Sequence, residues 1–315
     1  MRRITVWILL FTGNALLQAP ALAANLADFA DYTLRNSSGQ ILLPGRLFSP
    51  PEASDPDSPR PLMLYLHGGG ARGNDNAAQI LQTPDYMLEE AKARGAFLYV
   101  PQTADTWAST TMVDYVMAMI DRTIAEKNAD TNCLYATGYS NGGGGTWSLL
   151  SRNHGRFAAA MVMSGIIPAP GFAPQNLLGT AILALHARDD ATVPVLRTRT
   201  VIDGILLAAG QATPPYSDAE VANSILLVSN PNYPFHRDVA ASMPPETVNF
   251  EITRNDLDLM YFETPNGGHV GLFGNFWSPD IYSWMFSHSL AVPEPASLLL
   301  VVMCVPLLMF RRRGR

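Results

Sequence analysis

Gly138-Tyr139-Ser140-Asn141-Gly142 sets a serine between two glycines where a short apolar, β-prone run, 133–137, gives way to the helix-like Thr146-Trp147-Ser148-Leu149-Leu150. This is the pattern of a nucleophile elbow, a tight and strained turn that leaves the serine hydroxyl projecting. The flanking positions must be small, because the chain before and after the serine comes close together. Glycine in a helix interior costs about 1 kcal/mol relative to alanine, so Gly142 to Gly145 in succession are poor helix filler. They point instead to close approach of strand, helix and substrate. A serine hydroxyl is a weak nucleophile near neutral pH; it needs a histidine base, and the base needs a carboxylate that fixes its tautomer and stabilises the imidazolium.

Behind an elbow of this kind the partners come in the order Ser, Asp, His. His186-Ala187-Arg188-Asp189-Asp190-Ala191-Thr192-Val193-Pro194 comes directly after one predicted strand, and Asn266-Gly267-Gly268-His269-Val270 after another. Either Asp189 or Asp190 can serve by position; Asp190 is preferred because it heads the Asp-x-x-Val-Pro pattern usual for an acid loop. Of the six histidines, His269 is the best base, since a glycine turn after the last strand can deliver it over the sheet edge. His154, His236 and His288 lack such a context and read as surface or packing residues, and His186 as packing beneath the acid loop. The oxyanion of a tetrahedral intermediate needs backbone N–H donors. Asn141, the residue after the nucleophile, supplies one. His67-Gly68-Gly69-Gly70, after an apolar strand, reads as the second oxyanion loop, with Gly69 the donor of choice and Gly70 next. This chemistry needs no metal and no organic cofactor.

These residues need a scaffold that holds them at one edge. Two segments, 31–35 and 40–48, joined by Asn-Ser-Ser-Gly, predict an antiparallel entry hairpin. Beyond a loop rich in Pro, Ser and Asp, apolar strands at 61–67, 96–100, 133–138, 157–163 and 181–186 alternate with helix-like segments. The clearest helix carries Met112, Val116, Met119, Ile120 and Ile124 at 3.6-residue spacing. Strands alternating with helices predict βαβ units and an α/β fold with a mainly parallel sheet. Sites in such a sheet form at the carboxyl ends of the strands, where Ser140, His67 and Asp190 all fall. After a helix at 195–209, the stretch 211–255 shows only Leu226-Leu227-Val228 as firm strand. A structureless loop of that length is commonly functional, and here it is expected to cap the site.

The two ends read as addresses. Arg2 and Arg3, the apolar run 4–11 and Ala21-Leu22-Ala23 form a secretory signal peptide, so 1–23 is set apart and the body is 24–291. At 292–315 stand Val292-Pro293-Glu294-Pro295, an apolar run 296–310, and Arg311, Arg312, Arg313 and Arg315. That run is near the lower limit of a membrane span. The arginines would hold the tail on the cytoplasmic side, with the body translocated. Without the two ends, which hold six arginines and Glu294, the 21 basic residues fall to 15 and the 27 acidic to 26, a net charge of −11. An acidic body excludes nucleic acid as an expected partner, because phosphate contacts need clustered Lys and Arg. Cys133 and Cys304 lie in a predicted core strand and in the tail, so the body has no pair for a disulfide. At about 270 residues it is large enough for one core in a single domain.

The Pro-Glu-Pro, apolar helix and arginine cluster of the last two dozen residues resemble the PEP-CTERM sorting signal of Gram-negative bacteria. That resemblance implies transient insertion in the inner membrane, processing by an exosortase-type enzyme near 293–295, and release or attachment at the cell surface. The body resembles the phospholipase/carboxylesterase-like, feruloyl-esterase-like and polyhydroxyalkanoate-depolymerase-like branch of the α/β-hydrolases, some of them predicted peptidases. The resemblance is carried by 66–76, Pro101-Gln102 with Trp107, 138–147, and the Asp190 and His269 loops. Ala71 stands where the family commonly has an acidic residue, and Asn141 where it often has methionine; asparagine there is more usual in the depolymerase and feruloyl-esterase branches. Together these features imply an exported serine hydrolase acting on small-molecule or polymeric carboxylic esters, acylated polysaccharide or polyester among them. A peptidase of the same fold and a non-catalytic surface module are the alternatives.

Overall fold

A computed structural model describes residues 24–51, 55, 57–271 and 279–290; the signal and tail segments lie outside these. The chain opens with short strands β1 (Ala30–Asp31), β2 (Leu34–Arg35), β3 (Ile41–Leu43) and β4 (Gly45–Phe48). It continues through β5 (Arg60–Leu66), α1 (Ala78–Leu81), α2 (Asp85–Ala93), β6 (Phe97–Pro101), α3 (Thr110–Lys127), β7 (Ala129–Tyr139), α4 (Asn141–Arg152), β8 (Ala159–Met163), β9 (Ala181–Ala187) and α5 (Leu196–Ala208). Last come α6 (Ala219–Asn223), β10 (Leu226–Ser229), α7 (Pro234–Ser242), β11 (Val248–Glu251), β12 (Leu259–Thr264) and α8 (Pro279–Phe286).

Ten strands form one sheet in the order β1-β4-β6-β5-β7-β8-β9-β12-β10-β11. From β6 to β12 every neighbouring pair is parallel. β6, β8 and β9 are buried along their whole length, which is why they read as unbroken apolar runs rather than alternating ones. Alternate residues face two cores. Leu62, Leu64, Val162 and Ile182 join α3, α4 and α5 on one side; Met63, Tyr65, Met161 and Leu183 join α2, α7 and α8 on the other. This three-layer arrangement, with parallel strands between helices, is that of the α/β-hydrolase fold. α3 begins at the N-cap Ser109, whose side chain accepts from Met112 N, and stops at Asn128 in a left-handed conformation with φ 58°. Of its predicted stripe, Val116, Met119 and Ile120 are buried, Met112 and Ile124 pack half-buried against the same core, and Val113 is buried beside them.

Three expectations are corrected. The second N-terminal strand is broken at Pro44, which has no N–H for a ladder: β2 pairs with β3 in a separate hairpin, while β4 joins the main sheet antiparallel to β6. The strand expected at 157–163 begins at Ala159. The stretch 211–255 is not structureless. It carries α6, β10, α7 and β11, and it extends the sheet past β12, with β10 antiparallel to β12 and β11 parallel to β10. Among the described residues no helix is long and apolar enough to cross a membrane.

Candidate active site

Ser140 lies between the carboxyl end of β7 and the start of α4, with φ 56° and ψ −113°. An L-residue is strained there, and such a residue persists only where its surroundings over-determine it. Here Ser140 N donates to Met163 O at 2.9 Å, and Ser140 O accepts from Gly144 N and Ile166 N, both at 3.1 Å. Glycine lets the elbow pack: a Cβ at Gly142 would lie 1.8 Å from Leu66 O, and one at Gly145 2.3 Å from Trp107 Cβ. No side chain fits at either place.

The three residues singled out from the sequence meet at this turn. His269 Nε2 is 2.9 Å from Ser140 Oγ, and His269 Nδ1 is 2.7 Å from Asp190 Oδ2. The carboxylate accepts, so Nδ1 carries the proton and Nε2 is free to accept from the serine hydroxyl. Asp190 is buried, and its Oδ1 also accepts from Thr192 N and Val193 N, both at 2.8 Å. Burial pushes its pKa up, but the His269 bond and these two amides outweigh burial and hold it below the usual carboxylate value. Asp189 does something different. Its Oδ1 accepts from Gly268 N at 2.7 Å, fixing the glycine turn that presents His269. Geometry therefore separates the two aspartates that position alone leaves open.

Asn141 is the first residue of α4, so its N–H has no acceptor within the helix. Its side chain is engaged elsewhere: Oδ1 accepts from Thr106 Oγ1 at 3.0 Å and Trp107 N at 3.4 Å, and Nδ2 donates to Asp105 O at 3.3 Å. On the other side of the elbow, a Cβ on Gly68 would lie 3.7 Å from that of Ser140, whereas one on Gly69 would meet open space. His67 is buried; its Nε2 accepts from Thr103 N at 3.2 Å, so its Nδ1–H donates to Gly68 O at 2.7 Å. Burial is the main reason its pKa is lowered to about 4, which keeps the ring neutral and this tautomer fixed. Gly68 O accepts from Ala71 N as well. In a trans peptide the Gly69 N–H points away from Gly68 O, so pinning that carbonyl also fixes the direction of the Gly69 donor. Loop 103–107 thus braces both sides of the elbow: Thr103 N on the His67 ring, Trp107 Nε1 on His67 O at 3.1 Å, and Thr106 and Trp107 on Asn141.

Sequence reasoning does not reveal this brace, nor the use of Tyr139, whose hydroxyl donates to His269 O at 2.8 Å and whose ring lies 5.1 Å from the imidazole. His186 does pack beneath the acid loop, fully buried. His154 is exposed. His236 and His288 are packing residues of a particular kind, flanking the Asp258 carboxylate at 2.7 and 2.6 Å. Nothing local in the sequence links positions 236, 258 and 288.

No family model matches the chain. It is 31% identical over 172 residues to feruloyl esterase C of Emericella nidulans, covering 52% of this chain and 61% of that protein. It is 28% identical over 166 residues to a protein named "Probable feruloyl esterase C" of Aspergillus niger, covering 51% and 60%. The chain thus spans about three-fifths of the length of these relatives. Among solved structures, a thermostable esterase superposes with a TM-score of 0.59 at 22% identity, over 84% of this chain and 63% of that one. Dipeptidyl peptidase 4 of Porphyromonas gingivalis superposes with a TM-score of 0.51 at 11% identity, over 82% and 35%. At these identities the structures share the α/β-hydrolase fold.

Proposed function

We propose that the protein is a serine hydrolase of carboxylic esters, working through Ser140, His269 and Asp190 with an acyl-enzyme intermediate. The observation that carries the reading is one imidazole bridging two partners, Nε2 at 2.9 Å from Ser140 Oγ and Nδ1 at 2.7 Å from Asp190 Oδ2. His269 Nε2 takes the hydroxyl proton as Oγ attacks the ester carbonyl. The negative charge on the carbonyl oxygen is held by the N–H groups of Gly69 and Asn141, set in place before reaction by His67 and loop 103–107. Asp190 stays ionised and stabilises the imidazolium. His269 then returns the proton to the leaving alcohol, and water repeats the sequence on the acyl-enzyme.

The names of the feruloyl esterase relatives support an ester over an amide and make a feruloyl ester the first substrate to test. The acidic balance favours a neutral ester, with acylated polysaccharide or polyester as polymeric forms. Residues 1–23 are proposed as a signal for export, and 292–315 as a tail inserted in the membrane until an exosortase-type enzyme removes it. A panel of feruloyl, acetyl and p-nitrophenyl esters beside matched amides tests the reading. Turnover confined to esters and lost in Ser140→Ala is expected; amide turnover of equal rate, or full activity in Ser140→Ala, overturns it.

A further inference from the structure

We propose that His186 is a second imidazole partner of the triad carboxylate, a positioning residue whose Nε2–H sets the orientation and basicity that Asp190 offers to His269. The inference rests on the triad reading of Ser140, His269 and Asp190.

His186 is the penultimate residue of β9, and its side chain is fully buried. Its Nε2 is 2.9 Å from Val193 O and 3.2 Å from Asp190 Oδ2, and its Nδ1 is 2.7 Å from Thr198 Oγ1 on α5. A carbonyl oxygen only accepts, so Nε2 must carry the proton and is shared between Val193 O and Asp190 Oδ2. Nδ1 then accepts from the Thr198 hydroxyl. A neutral ring satisfies every contact, and burial pushes the His186 pKa down. Asp190 consequently receives four donors: two amides on Oδ1, and two imidazoles on Oδ2. That matches the roughly four acceptor directions of a carboxylate.

Other titratable groups nearby are committed elsewhere. Asp189 holds Gly268 N, and the Tyr139 hydroxyl donates to His269 O. Glu263, opposite His186 in the β9–β12 register, pairs with Arg188 and Arg199. Among the described residues, only the two imidazoles reach Asp190 Oδ2.

During acylation His269 becomes a cation that Asp190 must stabilise. A carboxylate whose charge is shared with a second donor pulls less strongly on the His269 proton. Removing the His186 donor should therefore leave Oδ2 to His269 alone, raise the proton affinity of the base, and move the acid limb of the rate profile upward. It should also free the carboxylate to swing, which lowers the plateau.

The test is kcat/KM against pH for a short p-nitrophenyl ester, using full-length His186→Leu, which has no donor, and His186→Gln, which keeps an amide N–H. Thermal melting checks folding. The leucine variant is expected to lose roughly tenfold at the plateau, near the scale of one hydrogen bond to a charge, and to shift the acid-limb midpoint up by about half a pH unit, about half of that. The glutamine variant should move both values back toward wild type. A folded leucine variant with an unmoved or lowered midpoint, or a glutamine variant no better than leucine, overturns the proposal. His186→Met, unbranched and adaptable, carries the same test if the leucine chain does not fold. Retained turnover in Ser140→Ala would remove the triad reading itself; an inactive Ser140→Ala beside an unmoved leucine limb would remove only the role of His186.

Discussion

Ser140 is expected to destabilise the fold it serves, and two variants that both lack the hydroxyl isolate the effect. With φ 56° and ψ −113°, the elbow holds an L-residue where strain costs about 1–3 kcal/mol. Ser140→Ala keeps the Cβ and therefore the strain; Ser140→Gly removes both. Each variant loses the Oγ contact to His269, so that contribution cancels between them. Glycine gives back roughly 0.5–1 kcal/mol through the larger backbone entropy of the unfolded chain. The glycine variant should then be more stable than the alanine variant by about 1.25 kcal/mol at mid-range, within a span of about 0–2.5. At about 2–4 °C per kcal/mol for a body of this size, the mid-range difference in Tm is about 2.5–5 °C. Calorimetric or fluorescence melts of the two proteins, side by side, measure it. A glycine variant that melts at or below the alanine variant would show that the elbow stores no strain, and that the backbone bonds at Met163, Gly144 and Ile166 hold nothing against its natural preference.

The two aspartates of the acid loop should behave differently. Asp190→Asn is expected to lower kcat by at least a thousandfold, by spoiling the His269 tautomer, while Asp189→Asn, which only weakens the hold on Gly268, should cost no more than about tenfold; steady-state kinetics with the order reversed would move the acid role one residue upstream. Stability should respond to pH through the Asp258 cluster. Burial pushes His288 down, but the Asp258 hydrogen bond and charge, with the Trp284 carbonyl, outweigh it and raise its pKa. A raised folded pKa stabilises fully below the unfolded value of ~6.5 and loses that contribution as pH climbs through the folded value. Asp258, held low by its two histidines despite burial, contributes above ~3.9 and fails only as pH falls through its lowered pKa. His288→Gln should therefore lower the melting temperature near pH 6 and lower it less near pH 9; a constant gap across that range would refute the assignment. Deleting 292–315 should leave a body with unchanged kcat, since the triad and the sheet lie upstream; lost activity in a folded deletion variant would place the tail in the working structure.

Much of the fold and the site is legible in the sequence, for physical reasons. Strands buried on both faces, such as β8 and β9, can only be apolar runs, and an amphipathic helix such as α3 must show its stripe. Ser140, Asp190 and His269 each sit in a local pattern at a strand end, and their order along the chain matches the direction in which the sheet is wound. Residues whose partners are distant leave no such trace. β11 is an edge strand with only Val248 and Phe250 partly buried, so its pattern is weak. Asn141 reads as an oxyanion donor because its position beside Ser140 is visible, whereas Thr106 and Trp107, which hold its side chain, are far away in sequence. His186 carries a packing signal but no sign that its Nε2 reaches the same oxygen as His269.

The central claim is that Ser140 is a nucleophile activated by His269, and covalent labelling tests it most directly. The protein would be treated with a fluorophosphonate, digested, and mapped by mass spectrometry, with Ser140→Ala and His269→Ala treated in parallel. The expected result is a single adduct on the peptide bearing Ser140, absent from Ser140→Ala and formed orders of magnitude more slowly in His269→Ala. Labelling on another serine, or an unchanged rate without His269, would contradict it.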